Sequence, residues 1–345
     1  MKLDKIKNWT PPEHWRRIST LDAHTAGEPL RIIIDGLPEL PGDTILDRRR
    51  YFKENLDDLR STLMWEPRGH REMYGCVITP PVSPEADIGV LFMHNEGYST
   101  MCGHGIIGLA SVVVETGMFP AKEPDTIIRI DTPAGLVTAH VKVDKGQIQS
   151  VYFHNVPSFV LALDETVDVS GLGKISYDIA FGGAFYAFVQ AEEVGLTLAP
   201  EEHKTIVETG MAIKHAVMKK RSIVHPFEED LNFLYGTIFI GSSTTTGVDD
   251  RNVCIFAEGQ VDRCSTGTGV SGRMAIHYAR GEIGIDQPMV IESIIGTTFR
   301  TRIVEVTTFG KYTAVIPEVE GSAYITGRHE FFIDPDDPLK KGFIL

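Results

Sequence analysis

Apolar positions along this chain fall into short alternating or β-branched runs. Leu30-Arg31-Ile32-Ile33-Ile34, Thr126-Ile127-Ile128-Arg129-Ile130 and Leu136-Val137-Thr138-Ala139-His140-Val141 are examples, and turn residues separate them. Such runs predict strands. Elsewhere the spacing is helical, at Ile45, Phe52, Leu56, Leu59 and Leu63, and at Ile206, Met211, Ile213, Ala216 and Val217 within the segment from Pro200 to Arg221. These predict helices packed on sheets. Strand and helix signals mix throughout with no low-complexity linker, which gives an α/β (α+β) fold class.

An internal repeat divides the chain. Cys102-Gly103-His104-Gly105-Ile106-Ile107-Gly108 and Thr266-Gly267-Thr268-Gly269-Val270-Ser271-Gly272 both carry glycine at the first, third and sixth positions after the leading residue. Each glycine-rich turn opens an apolar helical run, Ile106 to Thr116 and Val270 to Arg280, and each run stops at a glycine, Gly117 or Gly281. The repeat predicts two related α/β halves, residues 1–157 and 158–334, with residues 335–345 returning to the first. Each half has a central helix with one reactive side chain at its N-terminus.

Length and composition add bounds. With 345 residues, of which 42% are hydrophobic, the chain can bury a large core. A formal charge of −14, with Arg48-Arg49-Arg50 as a short basic run flanked by acids, argues against a nucleic-acid partner. No apolar stretch is long enough for a membrane span and the start lacks a secretory pattern, so the expectation is a cytoplasmic protein without a membrane partner. Cys76, Cys102, Cys254 and Cys264 are too few and too scattered for a disulfide framework and form no metal-ligand loop, so free thiols and no metal are expected.

The repeated turn has its own chemistry. A helix N-terminus presents unpaired N–H groups and a positive dipole end, which bind carboxylates and lower the pKa of a cysteine placed there. Cys102 in that setting is a candidate base toward an acidic C–H, while the amides of Gly103, His104, Gly267 and Thr268 are candidates to grip a substrate carboxylate. The competing reading is a buried, inert cysteine with glycines that merely allow tight packing. Duplication of the turn favours the first. A racemase needs a second acid/base on the opposite face of the α-carbon, and here the second leading residue is Thr266.

Ordered motifs carry a family resemblance. They are Asp22-Ala23-His24-Thr25-Ala26-Gly27-Glu28-Pro29, Glu66-Pro67-Arg68-Gly69-His70, Met73-Tyr74-Gly75, Met101-Cys102-Gly103-His104-Gly105, Gly259-Gln260-Val261-Asp262-Arg263, Gly321-Ser322-Ala323-Tyr324-Ile325-Thr326-Gly327 and Asp337-Pro338. Spread over nearly the whole chain, they resemble the proline racemase family. The resemblance implies two pseudo-symmetric half-barrels, each wrapped around a central helix, in a proline racemase / diaminopimelate epimerase-like fold, with catalytic residues at the two helix starts and no cofactor. It also makes a homodimer plausible.

Family racemases and epimerases carry Asp-Arg-Ser-Pro-Cys-Gly-Thr-Gly at the second site. This chain reads Asp262-Arg263-Cys264-Ser265-Thr266-Gly267-Thr268-Gly269, with threonine at the catalytic position as in the branch that dehydrates trans-3-hydroxy-L-proline. A threonine hydroxyl does not replace a thiol as acid or base, so the resemblance implies one-sided chemistry on that small-molecule substrate. The 3-hydroxyl and the α-hydrogen lie on the same ring face, so Cys102 alone can take the proton and return it to the departing hydroxide. By the same resemblance Asp262 contacts the ring nitrogen, His104 the substrate, and Tyr74 and Phe256 form aromatic walls. Cys264 as a second thiol keeps a proline or 4-hydroxyproline racemase or epimerase as the alternative. A binding protein without activity is the third reading. His24 and His70 are expected to be structural.

Overall fold

The computed structural model describes residues 3–345. The alternating runs form strands as expected: Leu30–Ile34 lies inside strand Glu28–Asp35, Thr126–Ile130 inside Asp125–Thr132, and Leu136–Val141 inside Gly135–Asp144. Along Gly135–Asp144 buried and outward positions alternate, the period of a sheet with one face on the core.

All these strands join one continuous barrel-like sheet, in which a single pairing order occurs twice. From Ala323–Ile333 the sheet passes antiparallel to Arg16–Thr25, antiparallel to Glu28–Asp35 and parallel to Tyr74–Thr79. It continues antiparallel to Ile88–His94, parallel to Asp125–Thr132, then antiparallel to Gly135–Asp144 and to Gln147–His154. The same succession of directions links Ser158–Val169, Gly173–Phe181, Phe185–Gln190, Leu234–Gly241, Asp250–Phe256, Met289–Glu292, Thr298–Phe309 and Tyr312–Gly321. Tyr312–Gly321 then pairs both with Gln147–His154 and with Ser158–Val169, which curls the sheet shut.

The last strand corrects one expectation. Ala323–Ile333 pairs along its whole length with Arg16–Thr25, so the chain returns to the first set of strands at Ser322 rather than at residue 335. The reason is continuity: Tyr312–Gly321 runs almost directly into Ala323–Ile333, and one long stretch of strand serves both sets.

Two helices fill the interior. Helix Gly103–Glu115 is buried from Gly103 to Val114, and helix Gly267–Ala279 from Gly267 to Ile276, as befits helices without a polar face. Each starts at its glycine turn, three residues before the apolar run expected from sequence. The apolar spacing from Ile45 to Leu63 yields two helices, Ile45–Asn55 and Asp57–Met64, because Leu56 leaves helical geometry at φ −132°. Their buried residues Ile45, Phe52, Leu59 and Leu63 still share one cluster, so the spacing reports a common face and not a continuous rod. Helix His203–Lys220 matches the segment expected from Pro200 to Arg221.

Candidate active site

Cys102 is the N-cap of the first central helix, in extended backbone, and its Sγ accepts the Gly105 N–H at 3.2 Å. Thr266 holds the matching place on the second, but with φ 62° and ψ 93°, a region that β-branched residues rarely enter. Its hydroxyl donates to Asp262 Oδ2 at 2.8 Å, and Asp262 Oδ1 accepts the Cys264 N–H at 2.9 Å. The threonine hydroxyl is thus turned back onto its own loop.

The two helix starts meet backbone to backbone. A Cβ placed on Gly103 would stand 2.6 Å from the Gly267 Cα, and one on Gly267 2.8 Å from the Gly103 Cα. Glycine is required at both positions by this approach. As first-turn groups, the N–H groups of Gly103, His104, Gly267 and Thr268 have no intrahelical acceptor, so two sets of donors face one spot.

That spot is a small cavity walled by all nine residues singled out from sequence: Tyr74, Cys102, Gly103, His104, Phe256, Asp262, Thr266, Gly267 and Thr268. Met101, Tyr186 and Tyr235 complete it and were not anticipated. Tyr235 had a signal in the repeat, for it stands at the head of strand Leu234–Gly241 as Tyr74 heads Tyr74–Thr79, and these strands occupy equivalent places in the pairing order. Tyr186 carries no such signal; its hydroxyl lies 2.8 Å from Thr268 Oγ1. Cys264 does not line the cavity; it is fully buried and its Sγ accepts the Thr266 N–H at 3.3 Å.

Burial dominates the electrostatics. It pushes the Cys102 thiol well up, the Tyr74 hydroxyl and Gly105 N–H oppose it, and the carboxylates of Asp262 and Glu28 add to it. The lowered pKa expected from the helix dipole is therefore not what this cavity produces, because desolvation of a thiolate outweighs one helix end. Burial also pushes His104 down to about 4, so a neutral imidazole stands with Nδ1 3.2 Å from Cys102 Sγ. Burial and nearby Asp262 push Glu28 well up, with Arg263 opposing. Glu72 Oε1, in the turn before strand Tyr74–Thr79, accepts the Val261 N–H at 3.0 Å, and Glu28 Oε2, on strand Glu28–Asp35, accepts the Arg263 N–H at 2.8 Å, so two carboxyls from early in the chain hold the loop that carries Asp262 and Thr266.

Donor atoms of His104, Asp262 and Cys264 lie within 4.8 Å of one another. Both Asp262 oxygens and the Cys264 sulfur already accept hydrogen bonds within their own loop, while the His104 ring lies against Cys102 Sγ. His24 lies outside the cavity and caps a turn through Gly27 N–H to Nδ1 at 3.2 Å; His70 is exposed. A larger, open, charge-lined cleft lies between helices Ile45–Asn55 and His203–Lys220 and shares Tyr235 with the cavity. Among the described residues no helix is long and apolar enough to cross a membrane.

Comparisons with known proteins show what the whole chain is similar to. The family model described as proline racemase matches residues 20–344. A trans-3-hydroxy-L-proline dehydratase of Colwellia psychrerythraea is 46% identical over 99% of this chain and 97% of its own. The Homo sapiens protein of the same name is 46% identical over 95% of this chain and 94% of its own. A solved hydroxyproline epimerase from Agrobacterium vitis, with bound trans-4-hydroxy-L-proline, superposes with a TM-score of 0.92 at 32% identity, covering 97% of this chain and 96% of that one.

Proposed function

The chain belongs to the proline racemase family, and from that premise we propose that it is a hydro-lyase, a trans-3-hydroxy-L-proline dehydratase yielding Δ1-pyrroline-2-carboxylate. One observation carries the mechanism: a single thiol, Cys102, faces a threonine, Thr266, across the cavity where two helix N-termini converge. The repeated pairing order supports the accompanying fold reading, two pseudo-symmetric half-barrels each wrapped around a central helix, with the division falling between strands Gln147–His154 and Ser158–Val169.

In this mechanism the substrate carboxylate sits against the amides of Gly103, His104, Gly267 and Thr268, which stabilise charge as it builds during α-proton removal. The ring nitrogen, cationic in the free amino acid, pairs with Asp262. That cation counters the burial that otherwise keeps Cys102 protonated, so thiolate forms when substrate is bound. The thiolate takes the α-proton, the C3–O bond breaks, and the new S–H returns its proton to the departing hydroxide on the same face. The enamine left behind tautomerises to the imine. Thr266, its hydroxyl donating to Asp262, holds that carboxylate toward the nitrogen and supplies no second base.

The alternative, a racemase or epimerase using Cys264, is disfavoured by the position of that sulfur behind the Thr266 amide and off the cavity wall. The test is to incubate purified protein in D2O with trans-3-hydroxy-L-proline, trans-4-hydroxy-L-proline and L-proline separately, trapping imine and following α-deuteration by NMR. Imine from the first substrate alone is expected; deuterated D-isomers from either of the others would reinstate a second base.

A further inference from the structure

The cleft between helices Ile45–Asn55 and His203–Lys220 takes no part in the mechanism above, yet two cations on its wall lack a counter-ion. Of its five arginines and lysines, Arg50 pairs with Asp47 and Asp230, Arg60 pairs with Asp57, and Lys53 is exposed. Arg49 and Lys214, one from each helix, have no carboxylate at salt-bridge distance among the described residues. Arg49 Nη2 donates to the Tyr98 carbonyl at 2.9 Å, while its buried Nε has no partner. Lys214 Nζ donates to the Ala257 carbonyl, which occupies one of its three N–H groups. Tyr98 and Ala257 themselves line the cleft, which puts both cationic ends at its wall. Lys214 is only 6% exposed and sits on the buried stripe of its helix with Ile206, Ile213 and Val217. A charge held there without a counter-ion costs stability, and a bound anion offsets that cost.

The cleft adjoins the cavity. Every residue of the cavity wall is buried, and the most exposed side chain among them is Tyr235, at 9%. Tyr235 also lines the cleft, so at that point a single side chain separates the two spaces. His94, on the cleft wall, packs its ring 5.9 Å from Tyr74, 5.8 Å from Phe256 and 6.1 Å from Tyr235, all three of which wall the cavity. Burial, and after it the charges of Arg60, Arg49 and Lys214, keep that ring neutral, so the cations gather beside the aromatic partition. Two acids of the cleft wall stand near enough for their charge to be felt, Glu258 by Lys214 and Asp230 by Arg49. A cleft with free cations and carboxylates close by complements a zwitterion, which carries one charge of each sign.

Resting on the reading of the substrate as a small cyclic amino acid, we propose that Arg49 and Lys214 form a second carboxylate site, where the zwitterionic substrate docks in the cleft before it passes Tyr235 into the cavity. The substrate carboxylate takes the free N–H groups of Lys214 and Arg49, and its ammonium faces Glu258 and Asp230. Such a site raises the rate at which substrate arrives. It leaves the final complex in the cavity unchanged, so arrival and departure slow together when the site is lost.

The test uses Arg49→Gln and Lys214→Met in the full chain; the second removes a buried charge, so the fold is kept. Trifluoroacetate, a simple carboxylate, is titrated into each protein and its 19F line width followed by NMR. Both variants are expected to bind it about 10-fold more weakly than the parent, the scale of one lost charge-assisted hydrogen bond. Gly103→Ala, which alters the cavity amides alone, should bind it as the parent does. The opposite pattern would put the carboxylate in the cavity and overturn the site. Association of trans-3-hydroxy-L-proline is then followed by stopped-flow tyrosine fluorescence in a Cys102→Ala background. Either substitution should slow it about 10-fold and flatten its dependence on salt, with the dissociation constant unchanged. An unchanged rate would overturn the docking step, as would slower association with weaker equilibrium binding, which marks a distorted cavity. Trifluoroacetate is no substrate, so a parent protein that makes no imine would sink the dehydratase reading while the titration still judged the site.

Discussion

At Thr266 two constraints coincide: a hydroxyl committed to Asp262, and a backbone at φ 62° that a β-branched side chain strains. Thr266→Cys removes the branch and places a thiol opposite Cys102. The expected outcome is new α-epimerising activity, read as deuterated D-isomer by NMR in D2O, in a protein that melts no lower than the parent. Cys102→Ser should lower imine formation by roughly 100-fold or more, the scale of a lost acid–base group, with folding unchanged by circular dichroism. The cavity-lining residues at the glycine turns were legible because they are neighbours in sequence. Tyr186 lies on a strand far along the chain, where an aromatic reads as ordinary core, and Tyr235 was marked only by its equivalence to Tyr74. The thiol's raised pKa was illegible for another reason, since desolvation depends on how completely the cavity closes.

At the scale of elements, the contact between the two central helices sets how close their N–H groups come. Gly103→Ala and Gly267→Ala each place a methyl carbon within 3 Å of opposing backbone, which cannot move aside as a side chain would. Both are expected to push the helix starts apart. Activity should fall by roughly 100-fold, the scale of an oxyanion-type donor removed from register, in a kinetic assay of imine formation. Away from the site, Thr44 and Asp47 form a reciprocal capping box at the start of helix Ile45–Asn55. Thr44→Ala should cost about 1 kcal/mol in a urea titration and leave kcat unchanged. Apolar spacing revealed the helices and strands themselves, but it could not reveal the break at Leu56, because both helices present apolar residues to the same cluster on either side of it.

For the molecule as a whole, burial of neutral histidines sets an acid limit. His94 is pushed down to about 3, and His104 and His225 to about 4, in each case first by burial. In the unfolded chain the ordinary value is about 6.5, so between pH 6.5 and about 4 the unfolded state binds more protons and stability falls as pH falls. Urea midpoints should therefore drop steadily across that window, and a flat profile there would contradict the burial of these rings. The repeat signalled that one pairing order of strands would occur twice in the sheet. A return of the C-terminus was readable, but its starting point was not, because the pairing partners of Ala323–Ile333 lie some 300 residues away at Arg16–Thr25.

That return bears on how the protein is made. Residues of the first set of strands leave the ribosome early, yet their sheet lacks the neighbour of Arg16–Thr25 until Ala323–Ile333 has been synthesised. Throughout translation the edge of Arg16–Thr25 is an open template for any passing strand. The half begun first is finished last, and the nascent chain depends on the completion of its own C-terminal strand, or on a chaperone until then, to keep that edge from pairing with another copy.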